Sequence, residues 1–151
     1  MKYDTLEKNI SKFARKFGVK RAYCTKEFAY YDEAQIMTFT FTRYDDDIDF
    51  INHIEQTYEI EDFEPWYFIF SVLHEIGHHM TLNQMTEEEY QSDLLIRQLI
   101  TNNEAYFNLK AEQLANDWAI NYLSEHFEDC WKLQRKCFGI IKHYLKKTLD
   151  K

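Results

Sequence analysis

Residues 66–73, Trp-Tyr-Phe-Ile-Phe-Ser-Val-Leu, run without a break into His74-Glu75-Ile76-Gly77-His78-His79. That junction constrains the fold more than any other stretch of the chain. A nearly unbroken apolar run needs cover on every side, yet titratable groups follow it with no loop between. Pro65 suits a first helical turn, and Glu61, Asp62 and Glu64 put negative charge at the positive end of the helix dipole. A helix is predicted from about Pro65, buried in the core and far too short to span a bilayer.

On that helix His74 and His78 share one face, four residues apart, and can present imidazoles to a single point. Glu75 sits next along, within reach of a water at the same point. Two neutral nitrogen ligands, an open position and a carboxylate base are what a zinc hydrolase requires. Two histidines one turn apart are also ordinary surface or core residues in many helices. Here His-Glu-x-x-His occurs in a chain with only 6 His, at the end of a buried segment, and the metal-site reading is preferred. His79 lies roughly 100° around the helix from His78, which suits a solvated or supporting role better than ligation.

The rest of the chain reads as mostly helical. Only 3 Gly and 1 Pro occur in 151 residues, so tight turns are few. A first helix is expected from a cap at Asp4 or Thr5 through Phe17, with Leu6, Ile10, Phe13 and Ala14 on one stripe and Gly18 as its stop. Strands are expected around 21–25 and 28–31. The clearest covers 34–42, where Met37, Phe39 and Phe41 alternate with Thr38, Thr40 and Thr42. Together they predict a small antiparallel sheet of two or three strands. Asp45-Asp46-Asp47 reads as the acidic start of a helix carrying Ile48, Ile51, Ile54 and Tyr58, in preference to a metal-binding loop.

After the histidines, Thr86 opens a capping box with Glu89, and Tyr90, Leu94, Leu95 and Leu99 follow. Asn102-Asn103 marks a break before a long helix over 104–126. A last helix covers 129–149, with Trp131, Leu133, Phe138, Ile140, Ile141, Tyr144 and Leu145, and Lys146 and Lys147 suit its C-terminal end. The fold class is α+β in a single domain of 151 residues.

The formal charge of -8 and pI near 5.2 argue against non-specific nucleic-acid binding, which depends on Lys and Arg at phosphates. Cys24, Cys130 and Cys137 are odd in number and lack C-x-x-C spacing, which fits free thiols in a reducing cytoplasm. The first residues carry no apolar signal-peptide core, so a soluble cytoplasmic protein is expected.

Two histidines do not complete a zinc site. The next histidine after His79 is His126, so a carboxylate is needed from Glu87, Glu88, Glu89, Asp93, Glu104, Glu112 or Asp117. Glu112 is favoured by its surroundings. Asn116 is one turn away and can orient a ligating histidine, while small Ala115 and Ala119 allow close approach of two helices. An oxyanion donor would also be needed, and His79, Tyr90, Tyr106 and Tyr122 are all open candidates.

His74-Glu75-Ile76-Gly77-His78, followed by Glu112-x-x-Ala115-Asn116-x-Trp118-Ala119-x-x-Tyr122-Leu123, resembles the ImmA/IrrE metallopeptidases. Their pattern is H-E-[LIF]-G-H, then E-x-x-A-N-x-F-A-x-x-L-L. This chain departs in reading His79-Met80-Thr81-Leu82-Asn83 after the first motif, where a further histidine is common. It also has Ser124-Glu125 where Met-Pro is common after the second. The resemblance covers roughly residues 34–125. It implies His74, His78 and Glu112 as zinc ligands, Glu75 as catalytic base, and a gluzincin-like domain with a zincin-like active-site helix.

Members of that family occur in bacteria, phages and mobile elements, and several cleave or otherwise regulate a helix-turn-helix repressor. The expected function is therefore a zinc peptidase acting on a regulatory protein, with no direct contact to nucleic acid or membrane. The alternative is a zinc-stabilised binding module, an anti-repressor or toxin–antitoxin component, that does not cut.

Overall fold

The computed structural model describes residues 3–41 and 47–149, with side chains of the last helix described through His143. The expectations for Thr42, for Asp45 and Asp46, and for the side chains of Tyr144, Leu145, Lys146 and Lys147 fall outside the described residues.

Helix α1 (Asp4–Arg15) buries Leu6, Ile10, Phe13 and Ala14. It begins at Tyr3 without a side-chain cap, so neither Asp4 nor Thr5 serves as one. Gly18 ends the segment as expected: its φ of +97° permits the Val19 N–H to return to the Ala14 carbonyl at 3.3 Å.

The three strands are β1 (Arg21–Cys24), β2 (Ala29–Tyr31) and β3 (Ile36–Phe39), in the spatial order β1-β3-β2. β2 pairs antiparallel to β3, but β1 pairs parallel to it, so the sheet is mixed instead of wholly antiparallel. The outer edge of β1 is occupied by α1. The Ala22 N–H donates to Ser11 Oγ at 2.9 Å and the Cys24 N–H to Glu7 Oε2 at 2.8 Å, giving those edge groups partners. β3 is also buried on both faces. Thr38 and Thr40 are as hidden as Met37 and Phe39, and the Thr38 hydroxyl is satisfied by the Glu27 carbonyl.

Helix α2 (Asp47–Tyr58) buries Ile51 and Ile54, and a 3-10 turn (Glu64–Trp66) leads into α3 (Tyr67–Thr81). α3 is the buried centre of the molecule: every residue from Phe68 to Gly77 is inside. Helix α4 (Glu87–Leu99) opens with the Thr86–Glu89 capping box.

The helix expected over 104–126 is two helices, α5 (Asn103–Phe107) and α6 (Lys110–Glu125). Asn102 caps α5, and Leu109 is extended at ψ 144°. The break is held from a distance: Asp93 of α4 accepts from the N–H groups of Lys110 and Ala111 at 3.0 and 2.8 Å. A carboxylate from another helix thus caps the positive end of α6.

Helix α7 (Phe127–Leu149) does the same for α3. Buried Gln134 accepts from the Ile69 N–H at 3.1 Å and donates to the Pro65 carbonyl at 2.9 Å. Among the described residues no helix is long and apolar enough to cross a membrane.

Candidate metal centre

α3 and α6 lie against each other more closely than most helix pairs allow. A Cβ on Gly77 would meet the Ala115 carbonyl oxygen at 2.7 Å and the Ala115 Cα at 3.1 Å. The missing side chain at Gly77 and the small one at Ala115 let the backbones approach, and this carries Glu112 across to the two histidines. Ala119, fully buried, continues the same contact. The predicted closeness of the two helices is present, and Gly77 is the residue that admits it.

Glu112 Oε2 lies 2.8 Å from His74 Nε2, Glu112 Oε1 lies 3.3 Å from His78 Nε2, and the two Nε2 atoms are 3.1 Å apart. Two ligands on a tetrahedral zinc ion at 2.0–2.1 Å are separated by about 3.3 Å. The three separations are of that order, with the two histidines facing different oxygens of the one carboxylate. Among the described residues these three form the only grouping of this kind. They could hold a divalent metal ion.

The surroundings fix the orientation of the His74 ring. The Asn116 side-chain oxygen lies 2.6 Å from Nδ1 and accepts its proton, which leaves Nε2 facing Glu112. Asn116 is itself buried, and no buried side-chain polar atom among the described residues lacks a partner. Burial opposes charge on His74, but the Glu112 and Glu75 carboxylates outweigh it and push its pKa up to about 9. Burial likewise opposes charge on Glu112, and the two histidines overcome it to hold the carboxyl well below its usual range. The trio is thus a pocket built to hold positive charge.

Glu75 is buried beside the cluster, with Oε2 3.9 Å from His74 Nε2. Its pKa is raised chiefly by burial, against the lowering effect of His74 and His78. A raised carboxylate pKa suits a group that must both take and return a proton.

His79 turns away from the cluster. Its Nδ1 meets the Tyr30 hydroxyl at 2.6 Å, and its Nε2 would lie 3.0 Å from a Cβ at Gly18. It braces the end of α3 against β2 and the turn after α1, a packing role in place of the solvated or metal-supporting one expected.

The other candidate acids are elsewhere. Asp93 caps α6, Asp117 accepts from the Tyr58 hydroxyl at 2.5 Å, and Glu89 completes its capping box. Glu87, Glu88 and Glu104 are exposed.

Two clefts, of about 940 and 500 Å³, meet at the cluster and share Glu27, Phe28, His74, Glu75, Tyr106 and Glu112 in their walls. The larger is faced by the aromatic rings of Phe28, Phe50, Tyr67 and Phe107. Two lining groups were not picked out in advance as neighbours of Glu112. Tyr106 shares the walls of both clefts with Glu112, and an Arg97 guanidinium nitrogen stands 3.7 Å from Glu112 Oε1. Neither follows a sequence spacing, because α4, α5 and α6 meet only through the breaks between them.

Comparison with protein-family models, curated proteins and solved structures found no match to this chain. The case for the site rests on its geometry.

Proposed function

We propose that the protein is a metal-dependent peptidase, most simply a zinc enzyme, with His74, His78 and Glu112 as ligands and Glu75 as general base. The observation that carries this reading is the buried His74–His78–Glu112 triangle with Glu75 beside it, open to two clefts that meet at one point. A metal ion there supplies Lewis acidity, lowering the pKa of water and polarising a substrate carbonyl.

The chain's own residues supply the rest. Glu75 takes a proton from the attacking water, whose oxygen bonds to the scissile carbonyl carbon. When the C–N bond breaks, Glu75 returns the proton to the leaving nitrogen. Asn116 keeps His74 in one tautomer throughout. Two clefts that share His74, Glu75 and Glu112 in their walls suit a polypeptide substrate on either side of the cluster.

The resemblance of residues 74–78 and 112–123 to the ImmA/IrrE metallopeptidases supports a regulatory protein as substrate, such as a helix-turn-helix repressor of a phage or mobile element. Three free thiols fit a cytoplasmic location.

A zinc-stabilised binding module that does not cut is the rival. It draws on the apolar groups that α4 exposes, Leu95 and Leu99 at 59% and 71%.

The test is metal content per chain in protein purified without chelator. About one zinc is expected in the wild type, with a sharp loss in Glu112→Ala. Glu75→Gln separates the two readings: it should keep the metal and lower peptide cleavage by roughly 10²-fold or more. No metal, even after zinc is supplied, would sink both.

A further inference from the structure

Four residues stood open as donors to a developing oxyanion, and their positions separate them. Tyr122 stacks between Trp118 and His126 and touches the Phe13 and Phe17 rings, on the far side of α6. His79 is engaged by Tyr30. Tyr90 lines only the smaller cleft and is half exposed. Tyr106 lines both clefts, in the walls they share with His74, Glu75 and Glu112.

Its ring is held in place. The Arg97 guanidinium lies over it at 5.6 Å, and the Phe107 ring stands beside it at 6.3 Å. Asn102 caps the short helix that presents it, and the following turn is closed by Leu109 N–H to the Tyr106 carbonyl at 3.1 Å. A donor fixed in this way need not be reorganised when charge develops.

Resting on the peptidase reading above, we propose that Tyr106 is a catalytic residue. Its hydroxyl, presented where the two clefts meet, donates a hydrogen bond to the substrate's carbonyl oxygen as that atom becomes an oxyanion. No proton is transferred: the O–H bond persists, and the new hydrogen bond is lost again when the carbonyl re-forms.

The discriminating probe is a phosphoramidate dipeptide, N-phosphoryl-Leu-Trp, whose tetrahedral anionic phosphorus mimics that state. Its apolar side chains suit the aromatic walls of the larger cleft. Calorimetric titration into zinc-supplemented wild type and Tyr106→Phe, with unphosphorylated Leu-Trp as reference and zinc affinity measured in parallel, reads the role directly. A roughly 10- to 100-fold loss of phosphoramidate affinity in Tyr106→Phe, with zinc affinity unchanged, is expected for one donor to a charged acceptor.

Equal phosphoramidate affinity in both proteins would overturn the role. So would a loss matched by an equal loss of zinc affinity, because Tyr106 would then only orient Glu112. Zinc uptake by the wild type without any phosphoramidate affinity would instead remove the peptidase reading, and the role of Tyr106 with it.

Discussion

Asn116 shows how much of the centre depends on side chains that would never touch a metal. Its oxygen holds the Nδ1–H of His74 at 2.6 Å, with 2% of the asparagine exposed. Without that acceptor His74 can change tautomer or rotate, and Nε2 is no longer committed to the side facing Glu112. Asn116→Ala is therefore expected to lower zinc affinity by roughly 10- to 100-fold while leaving the helix content intact. Competition with a chromophoric chelator measures the first and far-ultraviolet circular dichroism the second. Unchanged affinity would show that packing alone positions the ring. Asn116 was readable as a partner because it lies one turn from Glu112. Tyr106 and Arg97 were not, since no period relates residues 97, 106 and 112 across two helix breaks.

At the scale of elements, the centre is a product of the α3–α6 contact. A side chain at Gly77 must displace backbone, because the atom it meets at 2.7 Å is the Ala115 carbonyl oxygen. Backbone in a packed helix pair has nowhere to retreat, so α6 would move and carry Glu112 off the histidines. Gly77→Ala is expected to cost on the order of 1–3 kcal/mol of stability and to abolish metal binding, even though alanine favours helix more than glycine. Urea unfolding with parallel metal analysis checks both halves. A more stable protein that still binds zinc would contradict the close-approach argument.

Alternation and heptad-like stripes placed α1, α2, α3 and the start of α4 well, because each reports which face seeks cover. They could not report that β3 lies between β1 and β2, or that a helix stops at Phe107. Those outcomes depend on Ser11 and Glu7 occupying an edge of the sheet and on Asp93 reaching α6 from another helix.

For the whole molecule, burial of two thiols gives stability a dependence on pH. Cys130 and Cys137 are fully buried on α7, and burial pushes each from its usual 9.0 up to about 12. Below pH 9 both folded and unfolded chains keep these protons, and the contribution is whole. Between pH 9 and 12 the unfolded chain loses them while the folded chain retains them, so stability falls as pH rises. The slope is at most about 1.4 kcal/mol per thiol per pH unit. Urea midpoints across that range should decline more steeply for the wild type than for the Cys130→Ala, Cys137→Ala double variant. Parallel declines would refute the argument.

What was legible along the chain is what neighbouring residues encode together: a buried helix ending in His-Glu-x-x-His, a capping box at Thr86, a glycine stop at Gly18, and the Glu112–Asn116 pairing one turn apart. Each is a local match between side-chain chemistry and a helical or strand period, so it survives without knowledge of the fold. The triangle of donors is of another kind. His74, His78 and Glu112 came together because Gly77 and Ala115 let two helices touch, Asp93 and Gln134 capped helices remote from them in sequence, and α5 placed Tyr106 in the walls of both clefts. Such contacts join residues through space with no fixed separation in the chain, and they exist only once the core has packed.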